Sequence, residues 1–186
     1  QNIMALRVPK GDYASEKALL NRLETYDQVD YAMGLSNVEV MDGYTLTDVL
    51  TPRQFSEMTD LDYELVCLVY AAYAAEQEEY GRIVGGLDDY AVPLMDMFFF
   101  AYDKVEEGYV NLDEEQQADL DDLYVQLSDA QEQLLGENYT RMLVSLNLPE
   151  EGEETFAFLQ TIHQEAERYY DAGSVYLVGD STRDYD

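Results

Sequence analysis

The sequence predicts an α+β fold in which two strand–helix–strand units share a four-stranded antiparallel sheet and a long helical segment separates them. Three observations carry this. Residues 139–148 alternate, with Thr140, Met142, Val144, Leu146 and Leu148 on one side and Arg141, Ser145 and Asn147 on the other. That period of two, with one apolar face, is the pattern of a half-buried strand. A helical stripe and a second strand-like run follow it, and residues 3–34 repeat the same order. Between the two units, residues 35–138 place their apolar side chains at spacings of three and four, the period of helices. Two such units in one sheet make a ferredoxin-like two-layer sandwich, with both unit helices on one face because crossovers keep a right-handed sense.

Taken in order, Ile3-Met4-Ala5-Leu6-Arg7-Val8 reads as the first strand, and Pro9-Lys10-Gly11-Asp12 stops it, since proline has no N–H for the ladder. Ser15 is the expected cap of a helix over residues 15–26, with Ala18, Leu19, Leu20, Leu23 and Tyr26 as its apolar stripe. Val29–Met33 alternates as a second strand and Gly34 ends it.

In the insertion, Thr51-Pro52 opens a helix with proline in its first turn. Leu61 to about Tyr80 forms another, with Leu65, Leu68, Val69, Ala72 and Tyr73 at helical spacing. Gly85-Gly86 breaks the chain, and Val92-Pro93 opens a helix through Met95, Phe98, Phe99 and Tyr102. Asn111-Leu112-Asp113-Glu114-Glu115 starts a last one, continued by Leu120, Leu123, Tyr124, Leu127 and Ala130 up to Gly136. A connection this long far exceeds the usual loop of about four to six residues, so it carries its own role or its own small core.

Pro149 ends the third strand, predicted over residues 139–148. Glu150, Glu151, Glu153 and Glu154 then crowd the start of a helix over residues 153–170, where carboxylates suit the positive end of the dipole. Phe156, Leu159, Ile162, Ala166 and Tyr169 form its stripe, and Ser174–Val178 leads the fourth strand, residues 174–179. The expected division is thus residues 1–34 with 139–186 as the sheet subdomain, and 35–138 as a helical cap.

Composition narrows the function. Forty acidic residues against ten basic ones give a net charge of −30, which repels nucleic-acid phosphates and anionic lipid headgroups. A hydrophobic share of 47% with seventeen tyrosines argues for a folded chain despite that charge. The single Cys67 excludes an internal disulfide and cysteine-based zinc sites. Leu65 to Ala75, the longest uncharged apolar run, falls short of the roughly 20 residues that span a bilayer. Gln1-Asn2 leads straight into a strand, so the chain reads as a piece of something longer, with no leader of its own.

Candidate chemistry is sparse. His163 and Glu167 share a helix face as two possible metal ligands, one pair short of a site, and a boundary histidine is the plainer reading. Asp180, Asp184 and Asp186 hint at calcium but lack the D-x-D-x-D-G spacing and its distal glutamate. Asp119, Asp121 and Asp122 read as a solvated helix face. Gly81 to Gly86 resembles a phosphate loop only in its glycines. Met95 to Phe100 is a possible binding stripe, although most such clusters are core. Asn138-Tyr139-Thr140 matches a glycosylation sequon in a stretch read as strand. No catalytic residue, cofactor site or metal site is assigned, and the expectation is a protein that is not an enzyme.

A resemblance adds to this reading. Thr140-Arg141-Met142-Leu143-Val144, then Leu148-Pro149-Glu150 with Glu154-Thr155-Phe156, then Tyr169-Tyr170 and Tyr176 through Thr182 resemble a known family. It is the MMPL branch of the resistance-nodulation-division (RND) exporters, in its Gram-positive form, at the domain between the first and second transmembrane helices of one half. Val8-Pro9-Lys10-Gly11-Asp12 is similar to the stretch that leaves the first helix of such a half. The resemblance covers both strand–helix–strand units; the middle is similar only in being helical and acidic. It implies a porter-type, ferredoxin-like subdomain on the extracytoplasmic side of the cell membrane. That domain would line or gate a route for lipidic or other hydrophobic cargo. The implied partners are the parent's transmembrane helices, the second extracytoplasmic domain of the same transporter, and the cargo, with no nucleic acid. The family's proton-relay acids lie in membrane helices, so none maps onto this chain.

Two rival readings stand beside it: a small-molecule-binding regulatory domain, which the fold alone does not distinguish, and an acidic calcium-dependent surface module. The topology adds one expectation. Gln1 and Asp186 lie at one end of the sheet domain, and the insertion leaves and re-enters at the other.

Overall fold

The computed structural model describes residues 2–179. In chain order it begins with β1 (Asn2–Pro9), α1 (Tyr13–Leu23), β2 (Val29–Met33), β3 (Glu39–Met41), β4 (Tyr44–Thr45) and β5 (Val49–Leu50). Next come α2 (Pro52–Thr59), α3 (Tyr63–Glu76), a 3₁₀ turn (Tyr80–Arg82), β6 (Val92–Pro93), α4 (Leu94–Glu106) and α5 (Glu114–Leu134). The last elements are β7 (Tyr139–Leu146), α6 (Glu153–Ala166) and β8 (Tyr176–Gly179). The class is α+β, and the chain divides into two compact units, Gln1–Val38 with Ala130–Asp186, and Glu39–Asp129. The boundaries predicted at 34/35 and 138/139 therefore move inward, because residues 35–38 and 130–138 group with the sheet.

The sheet is antiparallel with the order β2-β7-β1-β8. Asn2 pairs with Leu146 and Pro9 with Tyr139, so β1 and β7 lie side by side over their full lengths. β8 joins the other side of β1, with Met4 opposite Gly179 and Arg7 opposite Tyr176. β2 joins β7 with a register shift between Val29 and Tyr31. One face of this sheet is apolar because the strands alternate: Met4, Leu6 and Val8 with Met142, Val144 and Leu146, together with Ala32 and Leu177, are all buried. Leu19, Leu20 and Leu23 of α1 and Phe158, Leu159, Ile162 and Ala166 of α6 join the same core, so both helices cover that face.

Details of the helices differ from expectation. Asp12, not Ser15, caps α1: its carboxylate accepts from the Ser15 backbone N–H at 3.0 Å and from the Ser15 hydroxyl at 2.7 Å. A cap needs an acceptor three residues ahead of the orphan N–H, and Ser15 sits where the donor is. The buried face of α1 runs through Glu16, Leu19, Leu20 and Leu23, and Ala18 is exposed. In α6, Phe156 is 46% exposed and Phe158 takes the core position. Both helices end three or four residues early, since Tyr26 and Tyr169 are held by tighter bonds to the carbonyls of Leu23 and Ala166. β7 stops at Leu146, because Asn147 turns to bond the carbonyls of Gln28 and Asp27. Ser174 is bound into a turn by Asp171, so β8 starts at Tyr176.

The second unit holds α2, α3, α4 and most of α5, with two short strand pairs that periodicity does not reveal, β3–β4 and β5–β6. Thr51 and Gln54 form a capping box ahead of Pro52, as the Thr-Pro start predicts. Val92-Pro93 opens α4 as expected, with Pro93 at its N-cap, and it also pairs with Val49-Leu50. Tyr70 ties these pieces together, its hydroxyl donating to the Leu50 carbonyl at 2.8 Å while its ring meets Phe55 and Tyr90 edge-on.

Glu16 is the unexpected core residue. At 1% exposure it accepts from the Ser36 backbone N–H and hydroxyl, each at 3.1 Å, and from the Thr140 hydroxyl at 3.5 Å. Gly34 makes room for it, since a Cβ there would lie 2.5 Å from Oε1. Burial pushes the Glu16 carboxyl above its usual range, and the Ser36 and Thr140 hydrogen bonds only partly oppose this. A carboxyl raised in the fold adds stability below its unfolded pKa and loses it as pH rises through the folded value. Glu16→Gln keeps an acceptor for Ser36 and has no charge to desolvate. In thermal melts we expect the variant to exceed the native protein at pH 7 and the two to converge as pH falls toward about 4. A native protein that melts higher at pH 7 contradicts this account.

Candidate functional site: an apolar groove on the second unit

Helix α3, Tyr-Glu-Leu-Val-Cys-Leu-Val-Tyr-Ala-Ala-Tyr-Ala-Ala-Glu, is apolar on every side. Such a helix is ordinarily enclosed by its neighbours. Here Val66, Tyr70 and Ala74, four residues apart, form the buried row. Leu65, Leu68, Val69 and Ala72 form a second row, and Leu68 is 69% exposed. These four, with Lys104 of α4 and Tyr109 and Val110 beyond it, line an open groove of about 300 Å³.

The far wall exists because of how α4 ends. Gly108 adopts φ +86°, its N–H bonds the Val105 carbonyl at 3.0 Å, and Tyr109 N–H bonds the Lys104 carbonyl at 3.0 Å. This is the left-handed glycine termination of a helix, and it folds the next residue back over the last turn. Tyr109 consequently lies against Lys104, whose Nζ is 5.3 Å from the Tyr109 ring and 5.0 Å from the Phe100 ring. The same ammonium is 3.5 Å from Glu76 and 3.8 Å from Glu107. Its charge is answered on both sides, so the groove offers an aliphatic floor, an aromatic edge and no unmatched charge. The lining contains no nucleophile beside a base. It suits a hydrophobic moiety and does no acid–base work.

The residues singled out from sequence are dispersed. His163 Nε2 lies 4.0 Å from Glu167 on α6. Among the described residues no three His, Cys, Asp or Glu side chains converge as metal ligands. Asp180, Asp184 and Asp186 lie outside the described residues. Asp119, Asp121 and Asp122 are exposed on α5, and the Tyr102 hydroxyl donates to Asp121 at 2.6 Å, holding that carboxyl below its usual range. Met95, Met97 and Phe98 are core, and Phe99 and Phe100 are half-buried. Gly81 to Gly86 follows α3 in turns, with Glu79, Arg82 and Tyr90 joined to one another. Asn138 is exposed just before β7, while Thr140 is buried within it.

Of the sequence stripe Leu65, Leu68, Val69, Ala72 and Tyr73, the first four line the groove, Tyr73 packs edge-on against Phe100, and a different row makes the core. Lys104, Tyr109 and Val110 escape sequence reasoning. The available signals were the second apolar stripe on α3, which one core does not need, and Gly108 just past a helix. No family model, curated protein or solved structure matches the chain in comparison.

Neighbouring residues on α3 should therefore respond differently to substitution. Leu68→Ser is expected to change stability by no more than about 0.5 kcal/mol. Tyr70→Phe, which strands the Leu50 carbonyl, should cost about 0.5–1.5 kcal/mol. Urea unfolding of the two variants checks the order, and a larger loss for Leu68→Ser would mean that the groove row is structural.

Proposed function

We propose that this chain is the extracytoplasmic domain of an RND/MMPL-type membrane exporter, lining or gating a route for lipidic or other hydrophobic cargo. On this reading its sheet unit is a ferredoxin-like porter subdomain with a helical insertion between the second and third strands of the sheet. It does no chemistry itself. Its partners are the transmembrane helices of the parent protein, the second extracytoplasmic domain of the same transporter, and the cargo.

The observation that carries the reading is the direction of the strands. Asn2 stands opposite Leu146 and Met4 opposite Gly179, so β1 begins and β8 ends at one end of the sheet. β2 runs toward the other end, where Tyr139 of β7 stands opposite Pro9. Membrane helices attached before β1 and after β8 would thus meet a single end of the sheet. No helix among the described residues is long and apolar enough to cross a membrane, so anchoring falls to those flanking segments. The α3 groove supports contact with hydrophobic cargo. Arg53, Arg82 and Lys104 are the only bases among residues 39–129, a balance that favours neutral or cationic hydrophobes over anionic ones.

Two measurements test the proposal. In the full-length gene product, with Cys67→Ala, a cysteine at the 86%-exposed Val84 should react with a membrane-impermeant thiol reagent in intact cells. Reaction only after lysis would exclude an extracytoplasmic position. Separately, neutral N-phenyl-1-naphthylamine should bind the purified chain saturably, and Leu68→Glu should weaken that binding at least tenfold. Unchanged binding in the variant would remove the groove from the cargo route.

A further inference from the structure

We propose that the β1–β7 pair carries a binding site for a small oxyanion, a phosphate- or dicarboxylate-bearing molecule, between the guanidinium groups of Arg7 and Arg141. The two arginines stand directly opposite each other in the register, on the face of the sheet away from α1 and α6. Like charges placed so are destabilising, and carboxylates outnumber bases forty to ten in this chain. Yet among the described residues no carboxylate pairs with Arg7, Arg141 or the neighbouring Lys10, whose Nζ meets only the Glu137 carbonyl at 3.5 Å.

The site is built rather than incidental. Both groups gather at Tyr139, whose ring centroid is 4.9 Å from the Arg7 guanidinium carbon and 5.4 Å from that of Arg141. Its ring is fixed over Gly136, where a Cβ would lie 2.5 Å from the ring. Arg141 is held by the Gln133 carbonyl at 2.6 Å and the Tyr139 hydroxyl at 3.0 Å. Among the described residues Arg7 has no acceptor, and its Nε is hidden from solvent with no hydrogen-bond partner. A desolvated charged donor without an acceptor is costly. Two guanidiniums brought together by register beside one ring match a compact ligand with two negative charges, which a guanidinium fork binds through paired N–H groups. A net charge of −30 repels extended polyanions at long range, leaving small ones. This site does not depend on the exporter reading.

The test is a titration of the whole chain with inorganic phosphate or with succinate, at ionic strength fixed with sodium chloride, followed by the arginine Nε–H resonances. The Arg7 and Arg141 signals should shift saturably. Arg7→Gln should weaken the response at Arg141 at least tenfold, and Arg7→Lys, which keeps the charge and loses the fork, should weaken it severalfold. Saturation by phosphate alone assigns a phosphate ligand, by succinate alone a dicarboxylate, and by both a general oxyanion site. Shifts that grow linearly, that chloride reproduces, or that Arg7→Gln leaves intact overturn the proposal. Among the described residues Arg7 holds no hydrogen bond that its loss would break, and the backbone amide spectrum verifies that each variant is folded. Should Arg7→Gln not fold, the titration of the native chain still decides.

Discussion

The fold depends on one pairing, β1 against β7. These strands come from distant parts of the chain, and every other strand of the sheet is hydrogen-bonded to one of them. Closing so long a loop carries an entropic cost that grows only slowly with its length. The intervening residues 39–129 also form a compact unit of their own, so the closure joins two ends of an ordered body. Once β1 and β7 meet, Met4, Leu6 and Val8 align with Val144, Met142 and Thr140 on one face. α1 and α6 then have an apolar surface to cover.

A second constraint is the shortage of positive charge, and tyrosine answers it. Carboxylates take a phenol here, Asp121 without a base and Glu165 and Glu79 beside arginines. The Tyr26 hydroxyl reaches Glu165 at 2.6 Å, Tyr90 reaches Glu79 at 2.7 Å and Tyr102 reaches Asp121 at 2.6 Å. Each of these carboxyls is held below its usual range, with the tyrosine hydrogen bond as the largest cause. The scarce bases also lie over rings: Arg53 is 4.2 Å from the Tyr63 centroid and Arg82 is 5.0 Å from that of Tyr90. These tyrosines are thus not surplus hydrophobes; they are donors and platforms in a chain that has few cations.

How much of this the sequence made legible follows from what periodicity reports. The strands at 139–146 and 2–9 were clear because one face is buried and alternation registers that directly. Helix ends and caps were less clear, since Asp12 and Ser15 differ only in which of them accepts the N–H. Glu16 was invisible: no pattern marks a carboxylate as buried when its donors, Ser36 and Thr140, lie on other elements. The groove was half visible. Periodicity found the Leu65–Leu68–Val69–Ala72 row but not the groove it lines, because spacing tells that a row is apolar and not what it faces. The strands of the β3–β4 and β5–β6 pairs, two or three residues each, are too short to carry any period. The Arg7–Arg141 juxtaposition is a matter of register between distant strands, which local sequence does not encode.

The irregularity in β2 has a consequence at high concentration. β2 is an outer strand, and an outer strand offers its free amide and carbonyl groups to any other chain that arrives extended. The register shift between Val29 and Tyr31 interrupts that row, and the skipped position is Asp30, exposed and charged. An incoming strand would lose a rung of its ladder and meet a carboxylate at the same place. Together with the repulsion between copies, this makes the β2 border of the sheet a poorer seed for aggregation than a straight, uncharged border would be.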